Sequence, residues 1–209
     1  MAFKYAKIIT YKNFRSTIME KNKDHKLKRI WIATLLIISW SLCLITVNYP
    51  DDHVLGYNPI LMYVLYSLMA IVSIASLVLI LIKKPYLSDI LSTASLVFYF
   101  TLSGIIFVKR LLAGYDMFLP MLTISLFILA IIASATVILL LMKRRREGYF
   151  IAIISYSFFS LSVVLESYPV VYDQVSEVYG NIKIVYFVAI ITASILGIIN
   201  FAQMYKEHK

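Results

Sequence analysis

The sequence predicts an all-α membrane protein, six transmembrane helices in a compact bundle with both termini in the cytoplasm. Three observations carry this. Of 209 residues, 61% are hydrophobic and only 15% charged, against roughly 25% charged in a typical soluble domain. The hydrophobic residues come in long blocks, not in the alternating or 3.6-residue patterns of a water-facing fold. Lysine and arginine gather beside alternate blocks.

A helix needs about 20 apolar residues to cross the hydrocarbon layer. The blocks that qualify are Ile30–Val47, Pro59–Ile82, Ile90–Val108, Met117–Met142, Tyr149–Leu165 and Ile184–Phe201. Their unbroken apolarity argues against barrel strands, which would alternate with polar lumen residues. The first block is read as a retained span: its basic leader is long and no small-X-small cleavage site follows Val47. The domain map is then a basic cytoplasmic segment over 1–29, a six-helix domain over 30–205 and a cytoplasmic tail over 206–209. Phe3, Tyr11, Phe14 and Ile18 share roughly one face of the basic segment, interrupted by Lys4 and Lys7, which fits either an interfacial helix drawn to anionic headgroups or a solvated tail that serves only as a topology signal.

Orientation follows from the positive charges. Seventeen of the twenty lysines and arginines lie in the N-terminal segment, the Lys83-Lys84 turn, the Lys143–Arg146 loop and the C-terminal tail. The other side holds Lys109, Arg110 and Lys183. This asymmetry places both termini inside, in a multi-pass protein of the cell membrane. Tyr49, Tyr57, Tyr115, Tyr168, Tyr172 and Tyr179 fall in or beside the outer connections, where amphipathic rings form a headgroup-level belt. The net charge of +9 is thereby explained by topology, and no nucleic-acid-binding motif accompanies it.

Internal matches point to three tandem helical hairpins. Gly56-Tyr57-Asn58 and Ile74-Ala75-Ser76 recur 58 residues later as Gly114-Tyr115-Asp116 and Ile132-Ala133-Ser134. A fainter third copy relates Ile37–Ser41 to Ile153–Ser157 and Tyr49-Pro50 to Tyr168-Pro169.

Helices in lipid associate through small residues and polar bonds. Ala189, Ala193 and Gly197 share one face of the last span, and Ala130 and Ser134 share one face of the fourth. These are the candidate packing faces, against another helix of the chain or against a partner.

Ionisable groups in a membrane are candidate functional residues by default. Glu166 ends the fifth span with no base nearby in sequence, and could relay protons, bind a cation or pair with Lys183. Asn200 and Gln203 stand at the inner end of the last span, with Asn200 a further transport candidate. Lys109 and Arg110 are candidate anion-binding residues on the outer side. Asp89 and Asp116 precede the third and fourth spans, where a carboxylate caps a helix. His25, His53 and His208 all fall outside the apolar blocks, and Cys43 is the single cysteine, so no metal or cofactor site is expected.

Catalytic signatures are missing. Leu102-Ser103-Gly104 resembles the serine segment of rhomboid proteases, but no histidine lies in any of the apolar blocks to act as its base. The six spans with an inside N-terminus also resemble the substrate-binding membrane components of energy-coupling-factor importers. Where those carry Ala-X-X-X-Ala on the first helix, this chain has Ala33 followed by Ile37. The expectation that remains is a non-catalytic subunit or scaffold of a larger membrane complex, with anionic lipid headgroups at the basic loops. The alternative is a small-solute or ion transporter, or a substrate-binding membrane component. A transporter should enclose a polar midplane cavity, and a scaffold should be packed solid, with an apolar groove or small-residue face turned outward.

Overall fold

The computed structural model describes residues 2–46, 59–112, 114, 120–167 and 177–207. Side chains are described for 23–45, 60, 62–109, 111–112, 114, 120–164, 182 and 184–207. The described chain is helical: α1 (Ala2–Thr46), α2 (Pro59–Leu81), α3 (Pro85–Leu112), α4 (Pro120–Met142), α5 (Glu147–Ser167) and α6 (Glu177–Glu207). All six are long and apolar enough to cross a membrane.

Three helices begin with proline, which fits the first helical position because its missing N–H would have no partner there. Pro85 starts α3 five residues before the apolar block begins at Ile90, so Asp89 lies inside the helix and is not its cap. The helix α1 runs unbroken from the basic segment into the first span. It is 45 residues long, or about 67 Å at 1.5 Å per residue.

Two short turns join helices at the basic end, and they are built alike. Lys83 N–H donates to the Ile80 carbonyl and Lys84 N–H to that of Leu79. Arg144 and Arg145 make the same two bonds to Leu141 and Leu140. Lys83 (φ 62°) and Arg144 (φ 52°) take the left-handed conformation. This is the Schellman ending, with a cation where glycine is usual. The cations complement the negative end of the helix dipole.

Each helix packs on its neighbours in the chain, and α1 packs on α6 to close a ring. Inside the ring α1 also meets α3, and α3 meets α5. The rings of Trp40 (α1), Tyr99 (α3) and Phe159 (α5) form a triangle, with centroids 5.5 Å, 4.9 Å and 6.1 Å apart. All three side chains are buried.

Burial repeats along the chain every 60 or 61 residues. On the inner helices Ile32, Ser92 and Ala152 are buried together, as are Leu36, Leu96 and Tyr156, then Ser39, Tyr99 and Phe159. Met69, Ala130 and Ile190 correspond on α2, α4 and α6, as do Ser73, Ser134 and Ser194. This spacing matches a hairpin length of about 60 residues and differs from the 58 residues between the motifs. Ser134 corresponds to Ser73, not to Ser76. A shift of three residues is nearly one helical turn, so a displaced match still falls on the same face. Gly56–Asn58, Asp116 and the six outer tyrosines lie outside the described side chains.

The small-residue faces are used inside the chain. Ala130, Ser134, Ala189 and Ala193 are buried, and Ser134 shares a hydroxyl hydrogen bond with Ser155 of α5. At Gly197 a Cβ would sit 2.3 Å from Cδ1 of Tyr156, so the missing side chain lets α5 and α6 close. Replacing Gly197 with alanine is therefore expected to destabilise by about 1–3 kcal/mol, the usual range for overpacking. Thermal unfolding of the detergent-solubilised protein checks this, and Tyr156→Leu should restore much of the loss.

Candidate functional site

Polar side chains of α1, α3, α5 and α6 converge at the basic end. Arg29, one residue before the first apolar block, forks onto Asp89 of α3: Nε donates to Oδ1 and Nη2 to Oδ2, both at 2.8 Å. Asp89 is only 3% exposed. The second guanidinium nitrogen also lies 3.0 Å from Sδ of Met204 on α6. Tyr149, on α5, is in electrostatic range of both charges. Arg29, Asp89 and Tyr149 are 60 residues apart in sequence, so each inner helix contributes one group at the same level.

A second set of bonds closes the ring between α1 and α6. His25 is buried, with Nε2 donating to Glu207 Oε1 at 2.8 Å and Nδ1 3.1 Å from Asn200 Oδ1. Lys28 donates to Gln203 Oε1 at 2.7 Å and also bonds to Asp24. From the turn before α5, Arg146 Nε donates to the Tyr205 carbonyl at 3.1 Å, and its guanidinium lies 4.0 Å from the centre of that ring. Below the ion pair, Ser92 and Thr93 donate back to carbonyls of the preceding turn, which satisfies their hydroxyls without a ligand.

The sequence-derived candidates separate in the structure. Asn200 belongs to this cluster, and its amide oxygen faces His25. Lys109 stands at the opposite end of α3, exposed. Glu166, Lys183 and Arg110 lie outside the described side chains. Arg29 and His25 do not stand out in the sequence because they sit in a run of charges that reads as a topology signal. The 60-residue spacing of Arg29 and Asp89 is the available clue.

His25 lies outside the apolar blocks, yet its side chain is buried. It is buried because α6 continues to Glu207 and covers it. It does not supply the base that Ser103 lacks, since Ser103 lies 14 residues beyond Asp89 along α3, about 21 Å away.

The cluster is built of groups that neutralise one another, with a carboxylate held by a fork of donors. Such geometry fixes helices in register. Neither a known protein family nor a curated protein nor a solved structure matches the chain, and what it does is read from its own geometry.

Removing one member of a buried ion pair leaves the other charge stranded, at a cost of about 3–5 kcal/mol. Arg29→Met and Asp89→Leu should each lower the unfolding midpoint strongly, and the double variant should recover most of the stability. If the double variant is as unstable as either single one, the pairing is not what stabilises this end.

Proposed function

We propose that the chain is a multi-pass protein of the cell membrane, with both termini cytoplasmic, and that it serves as a non-catalytic subunit or scaffold of a larger membrane complex. The observation that carries this reading is the filled centre. Trp40, Tyr99, Phe100 and Phe159 pack against one another between the inner helices, where a solute pathway along the bundle would have to run. A conduit needs polar groups lining water at that depth.

The outward surface supports the membrane placement. Ile71, Val78, Ile132, Leu139, Val188 and Ile195 are large, apolar and exposed, a surface that lipid or a partner helix covers at no cost. The N-in, C-in orientation is supported by the seventeen cations on the side of the termini. Those cations suit anionic headgroups.

The small-residue faces are already occupied within the bundle, so a protein partner would meet the apolar ridges or the basic extension of α1. That extension carries residues 2–22 of the helix ahead of the first candidate span, which begins at Lys23.

Gentle extraction of the tagged protein from its native membrane, followed by mass spectrometry, tests the proposal. Partners in fixed stoichiometry that survive washing are the expected result. A protein that purifies alone and moves a solute in reconstituted liposomes would overturn it.

A further inference from the structure

Toward the end of the bundle away from the termini, α3 and α4 leave a groove of about 380 Å³ between them. Thr101, Gly104 and Ile105 form one wall and Ile124 and Ile128 the other, with Phe127 as the floor and Lys109 at the rim. Ile105 and Ile128 are half exposed, so the groove opens sideways toward the surroundings of the bundle.

The three hairpins differ at the positions that line the groove. At the position of Gly104, the first and third hairpins carry Leu44 and Val164, each 60 residues away. At the position of Lys109 they carry Tyr49 and Pro169. The hairpin with glycine at this position is also the one with a cation at the rim. That cation is one of three, with Arg110 and Lys183, on the side that holds few positive charges.

The length of the groove discriminates between occupants. From Thr101 to Lys109 the helix rises about 12 Å, close to one leaflet's share of the roughly 30 Å hydrocarbon layer. A partner helix would run on past the midplane, whereas a lipid chain ends there and has its headgroup at the rim.

We propose that the α3–α4 groove binds a hydrocarbon chain of an anionic membrane lipid, with the headgroup at Lys109. This rests on the membrane placement above but not on the subunit role. The chain buries the apolar walls, and the ammonium selects the charged headgroup over a zwitterionic one.

The test uses the full-length protein in phosphatidylcholine vesicles containing a small fraction of phosphatidylglycerol with a photoreactive chain, compared with a photoreactive phosphatidylcholine at the same fraction. Cross-linked positions are mapped by mass spectrometry. One cation near the membrane surface is worth about 1 kcal/mol toward an anionic lipid, so the phosphatidylglycerol probe should label the groove about fivefold more than the phosphatidylcholine probe. Lys109→Gln should remove the preference and Lys109→Arg should keep it. Val188 on α6, at the same depth by the 60-residue correspondence, should be labelled equally by both probes.

Equal labelling of the groove by both probes, or a preference that survives Lys109→Gln, would overturn the proposal while leaving the membrane placement intact. No labelling at Val188 by either probe would overturn the membrane placement itself, and the lipid site with it.

Discussion

Three aromatic rings, one from each inner helix, meet at the centre of the bundle, and the rest of the structure is arranged around that contact. Trp40, Tyr99 and Phe159 are too large to be accommodated unless the six helices keep a fixed spacing. In return each aromatic pair adds about 0.5–1.5 kcal/mol beyond the area it buries. Lipid offers apolar side chains as good an environment as a protein interior does, so in a membrane close packing decides which helices associate. At two such contacts the outer helices contribute small groups: Ser73 lies 3.2 Å from the Trp40 indole, and Gly197 yields to Tyr156.

Packing alone would leave the helices free to slide by a turn, because a shift of three or four residues keeps an apolar face in place. The polar cluster at the basic end removes that freedom. Arg29 and Asp89 meet in a two-pronged geometry that one register satisfies, and His25 holds α6 against α1 through Asn200 and Glu207. The two features divide the labour. The aromatic layer supplies contact area, and the charged layer supplies register, the best-attested use of a buried polar group.

How much of this can be read from the sequence differs from feature to feature. The six helices are legible because an unbroken apolar run of about twenty residues matches the thickness of the hydrocarbon layer. Helix ends are less so: Pro85 extends α3 into a stretch that looks like a basic loop, and α6 runs on to Glu207 beneath a polar tail. The motifs recur at 58 residues whereas burial recurs at 60 or 61, since sequence similarity between apolar segments does not distinguish neighbouring turns. The burial of Ala130, Ser134, Ala193 and Gly197 fits their spacing on one face. The ion pair is hidden because Arg29 is one cation among nine in its segment, and a carboxylate near a helix start is already accounted for by capping.

The claim on which the account rests most heavily is that the centre of the bundle is closed to water, and the protein carries its own reporter. Cys43 of α1 is buried, at the level shared with Ser103 and Val163. The decisive measurement is labelling of this thiol in native membranes by a water-soluble maleimide offered from both sides. A filled bundle predicts no modification until the protein is denatured, followed by complete reaction. Rapid labelling in the native state would mean that water reaches the core, and would contradict the proposed scaffold role in favour of a conduit.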